Sequence, residues 1–499
     1  MAGIAAQPAV SETVQHFLRH ERKLLIDGKW VSSSSGARIA SYDPSTGREI
    51  ASVVDATTTD VNRAVVAARR AFDDGRWTGL APAKREQLLL RLAELIETHA
   101  GELAELEALD NGKTKAMAGY MDIPASVAQI RYFAGWITKV VGQHGDLSMF
   151  PAGAFHAYVR REPIGVAAQI VPWNFPLLMA AMKIAPALAA GCTLILKPAE
   201  QTSLSALRLG DLVLEAGIPD GVVNILTGFG ETVGEALVRH PGVDKVAFTG
   251  STSVGKAIAR TAADTLKRVT LELGGKSPVI MMPDVDVAEA SGGAANAIFF
   301  NSGQVCVAGS RLYAHADIFD QLVEGLAKAA SSLKLGPSLA SETQMGPLVS
   351  AEQRERVMSY IDSARKEGAS VLTGGHAPGD SGYFVEPTVI ANVKPGMKVM
   401  REEIFGPVVC ATRFTDVDEV AALANDTEFG LAASVWTRDV SAMHKLAQRL
   451  KAGTVWGNCH SMIDPALPFG GYKQSGFGRE QGLEGMLNYT ETKSVIIAL

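Results

Sequence analysis

The chain has 499 residues, of which 47% are apolar and 20% charged, and a formal net charge of −6. That length corresponds to roughly three domains, and the composition is that of an ordinary globular protein with material for large cores. No block of like charge and no basic patch stands out, which speaks against nucleic acid as a partner.

The N-terminal stretch MAGIAAQPAVSETVQ lacks a basic region followed by an apolar run, so it does not read as a secretory signal. Residues 1–20 read as a loosely held leader. His16 and His20, the only histidines at helical ligand spacing, lie in it and read as surface residues, so no metal site is expected. Residues 83–108 predict one amphipathic helix, with Leu88, Leu92, Leu95 and Ile96 at i, i+4, i+7 and i+8. The uncharged run from Ile164 to Met182 is long enough to raise a membrane span. Gln169, Pro172, Asn174 and Pro176 would have to be satisfied in lipid, so a buried strand, loop and helix are predicted instead.

From about residue 164 short apolar runs alternate with helical stretches. The runs are Gly165–Val171, Cys192–Leu196, Val222–Leu226, Lys245–Phe248, Val269–Leu273 and Pro278–Met282. This alternation predicts a parallel sheet covered by helices. Ligands of such sheets bind beyond the carboxyl ends of the strands. A second alternating set begins near 275 and runs to about 475, so two α/β domains should meet at the flexible pair Gly274-Gly275, with a cleft between them. The tail Ser494–Leu499, SVIIAL, reads as a β-prone strand that must pair within the monomer or with another subunit.

The strand ends carry the candidate chemistry. Pro172-Trp173-Asn174-Phe175-Pro176 follows the first run, and Asn174 there is either a helix cap or a pre-set amide donor. Lys197-Pro198-Ala199-Glu200 follows the second, and Glu200 is either half of an exposed ion pair or a grip on ribose hydroxyls, with Lys197 beside it. Gly228-Phe229-Gly230-Glu231-Thr232-Val233-Gly234 and Thr249-Gly250-Ser251-Thr252 are successive strand–glycine turn–helix units. Neither is the standard dinucleotide fingerprint, but two beside an acidic strand end favour a dinucleotide site. Glu272 interrupts the apolar VTLELGG, either turned to solvent or held in the cleft as a base. Cys306, in FFNSGQVCVAGSR, is a buried small residue or a nucleophile, and no histidine lies within that stretch to activate it. The four cysteines, Cys192, Cys306, Cys410 and Cys459, form no CxxC pair and are too sparse for a disulfide scaffold, so a soluble cytoplasmic protein is expected.

In this order the motifs IVPWNFPL (170–177), LKPAEQT (196–202), FTGST (248–252), LELGGKSP (271–278), GQVC (303–306), EEIFGPV (402–408) and PFGGYKQSG (468–476) resemble the aldehyde dehydrogenase superfamily. The resemblance implies an α/β fold with a Rossmann-like NAD-binding domain (1–144 and 164–274) and an α/β catalytic domain (275–480). It also implies a small β oligomerisation element (145–163 and 481–499). It implies NAD-dependent oxidation of an aldehyde to the acid, with Cys306 as nucleophile, Glu272 as general base, and Asn174 and the Cys306 N–H holding the oxyanion. By the same similarity Ile170, Pro172, Trp173, Lys197, Glu200, Gly230, Phe248, Gly250, Ser251, Leu273, Gly274, Glu403 and Phe405 contact the cofactor. Glu200 would repel a 2′-phosphate and so favour NAD over NADP.

Within the family the stretch NCHSMIDPALPFGG (458–471) most resembles phenylacetaldehyde dehydrogenases. The implied substrate pocket is Phe175, Met182, Val305, Val307 and Ile463, apolar and suited to an arylalkyl aldehyde. A broad-specificity or betaine aldehyde dehydrogenase is the alternative. A cysteine hydrolase using His156, His240, His315 or His460, and a non-catalytic protein on the same fold, are more remote. A homotetramer is the expected assembly.

Overall fold

The computed structural model describes residues 6–379 and 381–499. The strands Val166–Ile170, Thr193–Lys197, Val223–Ile225 and Lys245–Thr249 are buried at every position. Parallel strands covered on both faces must be apolar throughout rather than alternating, which is why these runs stood out in the sequence. They form the centre of an eight-stranded sheet. Its order is Lys29–Val31, Leu24–Ile26, Val223–Ile225, Thr193–Lys197, Val166–Ile170, Lys245–Thr249, Arg268–Glu272 and Gly476–Phe477. The five central strands are parallel, and each strand outside them pairs antiparallel with its inner neighbour. The strand order reverses between Val166–Ile170 and Lys245–Thr249, the point at which such sheets open a ligand crevice. Register sets Ile170 beside Lys197 and Phe248, and Thr249 beside Glu272, so the candidate residues share one edge.

After Glu272 the chain crosses to a seven-stranded sheet ordered Ser370–Thr373, Thr388–Ala391, Val408–Phe414, Arg311–His315, Pro278–Met281, Ala432–Trp436 and Thr454–Gly457. The crossing runs through Gly274 and Gly275. Its glycines serve close packing rather than flexibility: both are buried, and a Cβ on Gly275 would stand 2.3 Å from the Cys306 carbonyl oxygen.

A third sheet joins Thr490–Ala498, Phe155–Pro163 and Gln143–His144, all antiparallel. The tail therefore pairs within its own chain, from Thr490 opposite Pro163 to Ala498 opposite Phe155. Gln143–His144 pairs with Phe155–Pro163 in this small sheet, and Gly476–Phe477 pairs with Arg268–Glu272 in the first.

Two local expectations are corrected. The helix expected over 83–108 is two, Pro82–Thr98 and Ala100–Asn111, separated at His99. The second is buried on nearly every face, Glu105, Glu107, Asp110 and Asn111 included, so no single amphipathic stripe continues through it. Much of the presumed leader is also ordered: Glu12–Arg19 is a helix capped by Ser11 with Val14 and Phe17 buried. His16 and His20 are exposed on it. Pro176–Ala190 is a helix buried throughout except at its last residue, as the uncharged run predicted. Among the described residues, no helix is long and apolar enough to cross a membrane.

Candidate active site

Cys306 sits in a loop whose shape the backbone makes unusual. The helix Val287–Phe299 ends in a tight turn, and Asn301, Ser302 and Gly303 then take φ of 48°, 54° and 71°. Three consecutive left-handed residues are costly unless the surroundings impose them. Here they are imposed: a Cβ on Gly303 would stand 2.1 Å from the Gly406 carbonyl oxygen. Ser302 Oγ donates to the Gly346 carbonyl at 2.9 Å, and Gln304 Oε1 accepts from Val349 N–H at 3.0 Å. The result is a rigid loop that presents Cys306, half-buried, to a cleft of about 520 Å³.

The cleft gathers Pro172, Trp173, Asn174, Gly250, Ser251, Leu273, Gly274, Glu403 and Phe405 around Cys306. Asn174 does not cap the following helix, because no side chain caps it. Its Nδ2 donates to the Gln304 carbonyl at 2.9 Å. Trp173 and Phe405 meet edge to face at 5.1 Å, with Phe405 at φ 61°. Glu403 Oε1 accepts the Gly275 N–H at 2.8 Å. Burial pushes its carboxyl up to about 7, against that hydrogen bond and the nearby Lys276 ammonium.

Glu272, at the end of its strand, is buried, and neither carboxylate oxygen has a hydrogen-bond partner. Burial, then the Glu480 carboxylate, holds it well above the usual range, while Lys183 and Arg479 pull the other way. It does not line the cleft surface, but its charge reaches Cys306. Burial first, then the Glu403 and Glu272 carboxylates, push the thiol up to about 12.

Ile170, Lys197, Glu200, Gly230 and Phe248 lie off the cleft lining. Buried Lys197 donates to the Pro198 carbonyl at 2.9 Å and to Glu200 Oε2 at 3.3 Å. A Cβ on Gly250 would stand 2.5 Å from Phe248 Cζ, and one on Gly230 would meet nothing within 4 Å. Ser251 caps the helix Thr252–Ala263, accepting from Val254 N–H at 3.4 Å.

The implied substrate residues Phe175, Met182, Val305, Val307 and Ile463 are also off that lining. Phe175 and Met182 are core residues, as are Val305 and Val307, whereas Ile463 is exposed. Phe175 stacks on Phe300 at 6.2 Å and lies under the Lys113 ammonium at 4.3 Å. Phe300 faces a second cavity of about 490 Å³. Sequence reasoning passed over it although it stands in the quoted FFNSG. Met179, Gln353, Arg356 and Glu402 also line the cleft and were missed. Only Glu402 had a signal, as the neighbour of Glu403 in EEIFGPV.

Of the four candidate histidines, His460 approaches the loop. Its Nε2 lies 2.7 Å from the Val307 carbonyl oxygen and its Nδ1 2.9 Å from Ser434 Oγ. Both ring nitrogens are thus engaged with groups other than the Cys306 thiol, so His460 is not placed as its base.

The comparisons agree with the geometry. The sequence profile of the "Aldehyde dehydrogenase family" matches residues 30–495. DhaS of Bacillus subtilis (strain 168) is 53% identical over 490 residues, 98% of each chain. A phenylacetaldehyde dehydrogenase of Pseudomonas fluorescens is 49% identical over 485 residues, covering 96% of this chain and 97% of its own. The structure of the NAD+ complex of an aldehyde dehydrogenase from Bacillus cereus superposes with a TM-score of 0.97 at 48% identity, covering 99% of this chain and all of the other. With sheet order, cysteine loop and near full-length similarity in accord, the chain belongs to the aldehyde dehydrogenase family.

Proposed function

We propose that the protein oxidises an arylalkyl aldehyde, phenylacetaldehyde or a close analogue, to the carboxylate, with NAD as the oxidant. The observation that carries this is Cys306 facing a cleft shared with the Asn174 amide, Glu403 and Trp173. The residues present fit a dinucleotide. Thr249 Oγ1 is buried without a partner, Gly250 leaves room where a side chain would clash, and the N-terminus of a 12-residue helix opens onto the cleft through Thr252 and Ser253. Such an N-terminus suits a pyrophosphate. Glu200 and Glu403 suit the two riboses, and Ile170, Phe248 and Leu273 suit the adenine and nicotinamide faces. Bound NAD supplies the acceptor for the hydride that leaves the aldehyde carbon.

The protein's part is as follows. The Cys306 thiolate bonds to the aldehyde carbon, and the carbonyl electrons move to oxygen. Asn174 Nδ2 and the Cys306 N–H donate to that oxyanion, a contribution of about 3–4 kcal/mol per donor. After oxidation the carbon is held as a thioester on Cys306 Sγ. Glu272 takes a proton from water, the resulting hydroxide adds to the thioester carbon, and the C–S bond breaks to release the acid and thiolate. A raised pKa makes Glu272 a stronger base once ionised.

For the substrate, Phe300, backed by the stacked ring of Phe175, presents an aromatic face to the second cavity, whose lining carries no carboxylate to pair with a cation. A panel of phenylacetaldehyde, hexanal and betaine aldehyde with NAD tests this. The highest kcat/KM is expected on phenylacetaldehyde, and a strong preference for betaine aldehyde would sink the arylalkyl reading. The ratio of kcat/KM for NAD to that for NADP is expected to exceed one, and to fall in Glu200→Gln.

We further propose a cytoplasmic homotetramer joined through the third sheet. Thr490–Ala498 is an edge strand with Ile496 and Ile497 exposed, an arrangement that isolated proteins avoid. Residues 1–144 with 164–274 would be its NAD-binding domain and 275–480 its catalytic domain.

A further inference from the structure

Asn174 has one amide group, with two hydrogens to donate. One is committed to the Gln304 carbonyl. That bond fixes which end of the amide faces the cleft, because turning the group over would set oxygen against oxygen. It also leaves the second hydrogen for the oxyanion. The orientation of Asn174 therefore depends on where its own backbone and the Gln304 carbonyl stand relative to each other. They come from different parts of the chain, 130 residues apart.

One side chain spans both. Asn301 Nδ2 donates to the Asn174 carbonyl at 3.0 Å and reaches the Gln304 carbonyl at 3.4 Å. Asn301 is buried, and its backbone is tied to the same residue, since Gln304 N–H donates to the Asn301 carbonyl at 3.0 Å. Its φ of 48° is a conformation that asparagine tolerates better than most residues. The neighbouring carbonyl of Trp173 is held separately by Asn111 Nδ2 at 2.7 Å. Asn301 is thus a second polar link, beside the Asn174–Gln304 bond itself, between the Asn174 loop and the loop that carries Cys306 two residues after Gln304.

We infer that Asn301 is a positioning residue: it sets the Asn174 amide against Cys306 Sγ so that the second hydrogen meets the oxyanion. This rests on the reading of Asn174 as oxyanion donor. Asn301→Gly keeps the left-handed backbone and removes the amide. Asn301→Asp keeps the size and replaces the donor with an acceptor.

The test is a double-mutant cycle with Asn174→Ala, reading kcat and KM for aldehyde and NAD. Asn301→Gly is expected to lower kcat roughly 10- to 100-fold, the cost of a misplacement of about 1 Å. KM for NAD should stay within about twofold, and Asn301→Asp should lose at least as much kcat. Asn174→Ala is expected to lose about 10²- to 10³-fold. The double variant should then be no slower than Asn174→Ala alone, because Asn301 would act only through the missing amide. Losses that multiply in the double variant, or an unchanged kcat in Asn301→Gly, would overturn the inference. So would loss of NAD binding in both Asn301 variants, which would make the residue a folding element. Unchanged kcat in Asn174→Ala would instead refute the oxyanion reading, and is told apart by that single variant.

Discussion

Cys306 enters the reaction from a poor starting point. Burial and two carboxylates hold its thiol near 12 in the ligand-free chain, so almost no thiolate exists at pH 7. Below that value the thiolate fraction rises about tenfold per pH unit. Iodoacetamide labelling of Cys306 in the ligand-free protein should therefore accelerate by that factor from pH 7 to 10 without a plateau, with Cys306→Ala as blank. The same Cys306→Ala chain should form no NADH yet still bind NAD. His460 gives a pH effect of another kind. Burial holds it down at about 4, against an ordinary value of 6.5. Between those values the unfolded chain binds a proton that the folded chain does not, so stability falls as pH falls from 6.5 to 4 and is regained on returning upward. The effect is on the order of 3 kcal/mol when complete. Thermal unfolding of His460→Asn should show a shallower loss of Tm across that window than the parent chain.

The glycines between the two large sheets act as contacts of whole elements. Gly275 follows the last parallel strand of the first sheet, and the Cys306 carbonyl lies where its side chain would be. The obstructing atom is backbone and cannot swing away, so a methyl group there must shift the cysteine loop or the strand end. Gly275→Ala should cost about 1–3 kcal/mol and lower kcat by more than tenfold, measured by thermal unfolding and steady-state rates. An active, fully stable Gly275→Ala would show the two elements to be less tightly coupled than the distance implies. The helix Ala100–Asn111 acts at the same scale. Its buried Glu107 accepts Leu177 N–H at 2.6 Å and Ser205 Oγ at 2.8 Å, and Asp110 accepts Leu204 N–H at 3.0 Å. It thereby pins the starts of two helices, Pro176–Ala190, whose Met179 lines the cleft, and Leu204–Glu215.

Over the whole molecule, the C-terminal residues close the first sheet before they build the third. Gly476–Phe477 pairs with Leu271 and Glu272, buried Lys183 and Glu480 form an ion pair, and Ile164 N–H donates to the Tyr489 carbonyl at 3.0 Å. Only then does Thr490–Ala498 run along Phe155–Pro163. Deleting 490–499 should spare the cleft but strip one side of that strand. Light scattering of the truncated chain should show a smaller assembly than the full chain, together with aggregation. An unchanged mass would refute assembly through this sheet.

The sequence by itself determined the alternation of strand and helix, the crossing near Gly274-Gly275 and the residues with chemical capacity at strand ends. Those signals are local: fully apolar runs mark strands buried on both faces, and motifs sit in the turns that follow them. It left Asn174 open between cap and donor, Glu272 open between solvent and cleft, and the tail open between its own chain and another. Tertiary structure showed that Asn174 caps no helix, that Glu272 is buried away from solvent and that the tail pairs along its own chain, because each depends on what lies opposite. It alone also decided that Asn301 reaches Asn174 across 127 residues and Asn111 reaches Trp173 across 62. Such contacts leave no periodicity or composition in either segment, since the buried carbonyls they satisfy belong to backbone that any residue would provide.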